Sequence, residues 1–113
     1  MRNKITEIIF DQIDKFNKER SKNEKIKKAT STHLTGPKTE LDSVELIGLL
    51  VSLEEKINRL LKKKIKIADE KIIEKPENIS TINKLIDTIC DKLKKNDYFY
   101  YRNLFRIGIL FSQ

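Results

Sequence analysis

Cys90 is the only cysteine among 113 residues, so the chain cannot close an internal disulfide. His33 is the only histidine, and one of each leaves a Cys/His zinc site short of ligands. Glycine (3) and proline (2) are scarce, tryptophan is missing and aromatics make up 7%. That poverty of turn formers and aromatics disfavours a sandwich or barrel. No stretch approaches the roughly 18 apolar residues needed to span a bilayer. Arg2 and Lys4 interrupt the first apolar stretch, so no signal-peptide h-region is read and a cytoplasmic protein is expected. No glycine-rich phosphate loop and no internal repeat is found.

What is abundant is Ile, Leu, Lys and Glu, a helix-favouring set. The length suits one domain with a modest core. The formal charge of +7 favours nucleic acid, an anionic membrane surface or an acidic protein as partner, without choosing among them.

Hydrophobic spacing predicts the elements. Ile5, Ile8, Ile9, Ile13 and Phe16 form one helical stripe within residues 4–20. Residues 21–41 are polar and rich in turn formers, a loop long enough to be either functional or mobile, with a short helical turn expected near Lys25–Ala29. Next, Leu46, Leu49, Leu50, Leu53, Ile57 and Leu60 make a second stripe, which Val44, Ile47 and Val51 widen past half the circumference. A helix so apolar is expected to be central and buried on most sides. Residues 62–67 read as an extended link and Ala68–Ile73 as one or two helical turns, ended around Pro76. A last helix opens near Ser80 or Thr81, with Ile82, Leu85, Ile86, Ile89 and Leu93 on its inner face.

The second helix opens on a group suited to chemistry. Asp42 stands at the N-cap and Glu45 three residues on, the spacing of a capping box. Ser43 then falls in the first turn, off the apolar stripe. There the unpaired N–H groups and the helix dipole favour an anion such as a phosphodiester. Ordinary capping explains an Asp-Ser pair equally well.

Leu41-Asp42-Ser43-Val44-Glu45-Leu46, followed by Leu53-Glu54-Glu55-Lys56-Ile57, resembles the acyl carrier protein family, in which an Asp-Ser pair opens the second helix and an acidic Leu-Glu-Glu closes it. Ile65–Glu70 and Ser80–Ile89 resemble the segments around that family's third and last helices, so the resemblance spans about residues 4–93. It implies an all-α, acyl-carrier-like four-helix bundle of three main helices and a short third one. The carrier domain would cover residues 1–95, with residues 96–113 as an apolar, helical extension. It implies a covalent 4'-phosphopantetheine, taken from coenzyme A by a phosphopantetheinyl transferase with magnesium. Ser43 would be the attachment point, and Asp42 would cap the helix and serve transferase recognition. The carrier would be a non-catalytic, monomeric protein that holds an acyl or aminoacyl thioester and presents it to loading and transferring enzymes. Glu45, Val51, Glu54 and Glu55 would form the docking surface. Val44, Leu49, Ile72 and Ile86 would either line an acyl pocket or pack simply as core.

Several residues depart from the family's pattern. Glu40 and Leu41 stand where a glycine often precedes the Asp, Val44 replaces the usual Leu, and Gly48 replaces a frequent acid. The family is typically acidic and this chain is basic, yet residues 40–57 hold five acids against Lys56 alone, a local net charge of −4. The docking helix thus keeps the family's sign, while the basic remainder points to specialised partners.

Two other classes compete: a carrier-fold interaction module without the modification, and a small basic nucleic-acid binder. Lys62–Lys66, with Lys22, Lys25, Lys27 and Lys28, argue for the last, but no aromatics interleave them and no helix-turn-helix pattern is found. Cys90 adjoins the buried stripe and reads as packed, His33 as a solvated loop residue. Glu54 and Glu55 are adjacent, hence on different helix faces, and make no acid/base dyad. Tyr98, Phe99, Tyr101, Leu104, Phe105 and their apolar neighbours to Phe111 predict a further helix folded back on the bundle. A partner-docking segment, a dimer contact, or an interfacial membrane anchor aided by Arg102 and Arg106 would also use them.

Overall fold

A computed structural model describes residues 1–95, and the extension expected at 96–113 lies outside the described residues. Helix α1 spans Arg2–Lys18, and Ile5, Ile8, Ile9 and Ile13 are its buried stripe. Lys15 and Lys18 fall in its last turn, where cations offset the negative end of the helix dipole. Helix α2 spans Ser43–Leu61 and stops where Lys62 turns into the left-handed region at φ 53°. Helix α3 is the short Glu70–Glu74, capped by Asp69, whose Oδ1 accepts from the Ile72 N–H at 3.0 Å. A 3-10 turn over Pro76–Ile79 follows, with the proline in its first turn, where a missing N–H costs nothing. Helix α4 covers 82–95 within the described residues. The protein is therefore all-α: no strand is found among the described residues, only an isolated antiparallel bridge between His33 and Thr81.

Every buried apolar residue of the core is Ile or Leu, contributed by all four helices and by the links between them. Phe10 and Phe16 pack against this core only partly buried. The long loop 19–42 takes part through Ile26, Leu34 and Leu41, all buried. The helical turn expected at Lys25–Ala29 is not there. Ile26 instead pairs its own N–H and C=O with the Asn17 side chain, at 2.8 and 2.9 Å, which requires locally extended backbone.

Asn58, near the end of α2, repeats the device. It accepts from the Ile65 N–H at 3.0 Å and donates to the Ile65 C=O at 2.9 Å. The link after α2 thus runs extended, with Ile65 and Ile67 buried and Lys64 and Lys66 exposed, the alternation of an extended chain.

The loop also closes the start of α4. Ile82 N–H donates to the Thr32 carbonyl (3.0 Å) and Asn83 N–H to the Thr30 carbonyl (2.8 Å), while Lys84 N–H donates to Thr81 Oγ1 (3.2 Å). The first N–H groups of α4, which a helix cannot satisfy internally, are thereby all partnered.

One expectation is corrected. α2 is not buried on most sides: Leu49, Leu50, Leu53 and Ile57 are buried, but Val44, Ile47 and Val51 are 78%, 43% and 40% exposed and Leu60 is 48% exposed. At 100° per residue, positions 44, 47 and 51 lie across the helix from 49, 50, 53 and 57. No described element covers that face.

Candidate functional site

The site is built at the junction of the long loop with α2. Asp42 Oδ1 accepts from the Glu45 N–H at 2.7 Å, and Glu45 Oε1 accepts from the Asp42 N–H at 3.1 Å, a reciprocal capping box. Ser43, the first residue of α2, is exposed, and its hydroxyl has no hydrogen-bond partner among the described residues. The N–H groups of Ser43 and Val44 likewise find no partner among the described residues, whereas the corresponding groups of α4 are closed by the loop. An unencumbered hydroxyl thus sits beside two open backbone donors at the positive end of a 19-residue helix.

Arg20 holds this junction together. Its Nε donates to the Glu24 carbonyl (2.8 Å), one Nη donates to the Glu40 carbonyl (2.7 Å), and the other pairs with Glu45 Oε2. The Arg20 side chain is only 13% exposed. One guanidinium therefore ties both ends of the loop to the capping residue of α2. The fork of fixed donors makes this possible, and a lysine could not match it. Five residues in the chain are Arg, and only Arg2 and Arg20 precede α2, a compositional hint that sequence reading passed over.

The remaining candidates divide by environment. Glu45 is committed at both oxygens, to Asp42 and to Arg20. Glu54 is half-buried, and its Oε1 accepts from the N–H groups of Ile67 (2.6 Å) and Ala68 (3.3 Å), anchoring the link that follows α2. Of the acids assigned to docking, Glu55 alone is fully exposed, and Val51 shares the exposed side of α2 with it. Leu49, Ile72 and Ile86 are buried together in the core. Val44 is not with them: it lies outside, on the strip with Ile47 and Val51, because its place on the helix is opposite the buried stripe.

Cys90 is half-buried against the core and His33 is exposed. No cluster of three or more His, Cys, Asp or Glu side chains is poised for a metal among the described residues. No described helix is long and apolar enough to cross a membrane.

These features define a compact all-α protein with an exposed serine at a capped helix start. No protein-family model, curated protein or solved structure matches the chain. The functional reading therefore rests on its own residues.

Proposed function

We propose that the protein is a carrier that bears 4'-phosphopantetheine on Ser43 and passes an acyl or aminoacyl group between partner enzymes. The observation that carries this reading is the unpartnered Ser43 hydroxyl in the first turn of α2, behind the Asp42–Glu45 capping box. The residues fit the group. Ser43 is exposed, and the open N–H groups of Ser43 and Val44 suit a phosphodiester. When bound, the arm supplies a terminal thiol that holds cargo as a thioester.

The chain's own contribution is positional. The capping box fixes the turn on which Ser43 sits, and Arg20 fixes the loop in front of it. Asp42 keeps one carboxylate oxygen outside its capping bond, available to a transferase and its magnesium. Val44, Ile47 and Val51 extend from Ser43 as an apolar strip bordered by Glu55, a surface for a partner with an apolar patch and a basic rim. Leu49, Ile72 and Ile86 would shelter an acyl chain only if the helices part, since they are packed shut here. The carrier itself catalyses nothing, and the loading enzymes and transferase are its partners.

A second reading has its own support. The same exposed strip serves an interaction module that never receives the arm. Incubation with coenzyme A, magnesium and a broad-specificity transferase separates the two. A mass gain of about 340 Da on the parent and none on Ser43→Ala supports the carrier, while no gain with any transferase favours the module. Nucleic-acid binding through the exposed Lys62, Lys64 and Lys66 would instead show as salt-sensitive affinity for DNA or RNA.

A further inference from the structure

The long loop borders an open hollow of about 290 Å³ whose lining includes three lysines. Lys25, Lys27 and Lys38 line it together with Ser31 and His33, and Glu40 is the single acid. None of the three lysines is in an ion pair among the described residues, although Lys28 beside them pairs with Asp14. Three lysines against the one carboxylate of Glu40 leave the hollow with a net positive charge.

The walls are held, which separates this cavity from a tuft of surface lysines. Ile26 is pinned to α1 by both hydrogen bonds from Asn17, and Thr32 Oγ1 donates to the Lys27 carbonyl at 2.7 Å. The far wall is fixed to the start of α4 by the Thr30 and Thr32 carbonyls and by the Leu34 N–H, which donates to the Ser80 carbonyl at 2.8 Å. The exit is fixed by Arg20 on the Glu40 carbonyl. Lys25, Lys27, Lys38, Ser31 and His33 thus line an open hollow whose backbone walls are fixed.

We propose that this cavity binds a small phosphate-bearing anion. Ammonium groups act as compact point charges and favour a multiply charged oxyanion over a single carboxylate. A concave space of this size suits a pyrophosphate-sized group better than a nucleic-acid backbone. Glu40 lies three residues before Ser43, so the backbones of the two are no more than about 11 Å apart. The proposal rests on the loop alone and does not require Ser43 to be modified.

The test is titration of the isotopically labelled, unmodified full chain with inorganic pyrophosphate at near-physiological salt, followed by amide NMR shifts. Saturable shifts confined to residues 25–40 and 80–83 are expected, and they should persist in Ser43→Ala, which separates this site from the carrier reading. Lys27→Gln/Lys38→Gln should weaken binding about tenfold or more, while the charge-matched Lys64→Gln/Lys66→Gln should change it less than about twofold. Lys25→Gln/Lys27→Gln, which leaves Lys38 in place, provides a second variant, and melting curves confirm that each folds. Equal weakening by the loop and link variants, or shifts spread over every lysine without saturation, would overturn the proposal. Adenosine 3',5'-bisphosphate in place of pyrophosphate distinguishes the source: tighter binding assigns a nucleotide, equal binding the phosphates alone.

Discussion

Replacing Arg20 by alanine removes three interactions at once, and the structure allows their weight to be worked out. Two are hydrogen bonds to backbone carbonyls, at 2.8 and 2.7 Å, from a side chain that is 13% exposed. At about 1 kcal/mol net each they contribute roughly 2 kcal/mol. The pair with Glu45 adds less, because that carboxylate keeps 31% exposure and is screened by solvent, so about 0.5–1 kcal/mol is appropriate. Arg20→Ala should therefore destabilise by about 3 kcal/mol, a fall in melting temperature on the order of 12 °C for a domain of this size.

Arg20→Lys keeps the charge but reaches fewer acceptors and should lose about half as much. The assay is thermal unfolding by far-UV circular dichroism, with a double-mutant cycle against Glu45→Gln to isolate the ion pair. The capping box itself remains in both variants. An Arg20→Ala protein melting within about 2 °C of the parent would refute the claim that this guanidinium holds the junction. A coupling energy of zero with Glu45→Gln would show that the pair contributes nothing.

The two asparagine clamps offer a parallel test. Asn17→Ala and Asn58→Ala each remove two hydrogen bonds and leave a backbone N–H and C=O of a buried Ile without partners. Each should lower stability by about 2 kcal/mol, seen as a lower urea midpoint at unchanged slope, and a loss under about 0.5 kcal/mol for either would count against the clamp. Ile47→Glu places a charge on an exposed strip, so its stability should stay within about 0.5 kcal/mol of the parent. Under the proposed carrier function its kcat/KM with a phosphopantetheinyl transferase should nevertheless fall about fivefold or more, and an unchanged value would remove the strip from the proposed docking surface.

Local patterns proved legible and distant pairings did not. The capping box at Asp42 and Glu45 could be read because both partners lie within one helical turn. Helix α1, expected over 4–20, is found at Arg2–Lys18, and the short helix expected at 68–73 at Glu70–Glu74, shifts of a turn or less. The width of α2's buried face was overestimated. Periodicity counts apolar residues but does not show whether another element lies against them, and for Val44, Ile47 and Val51 none does. The loop was the least legible part. Its shape comes from Asn17, Arg20 and the start of α4, reaching across sequence separations that no local pattern encodes. Within the site, Ser43 and Asp42 sit where expected, whereas Glu45 and Glu54 turned out to hold the fold together as well as carry charge.

The bridge between His33 and Thr81 has a consequence in time. A chain emerging from the ribosome presents residues 30–34 long before Ser80–Asn83, yet three backbone hydrogen bonds of that stretch go to the Ser80 carbonyl and the Ile82 and Asn83 N–H groups. Helices α1 and α2 are joined through Arg20 and Glu45 without Ser80–Asn83. The loop between them must wait for α4. A nascent chain halted before Ser80 would thus lack the partners that close residues 30–34. Residues 30–34 can take their final backbone pairing only once Ser80–Asn83 are made.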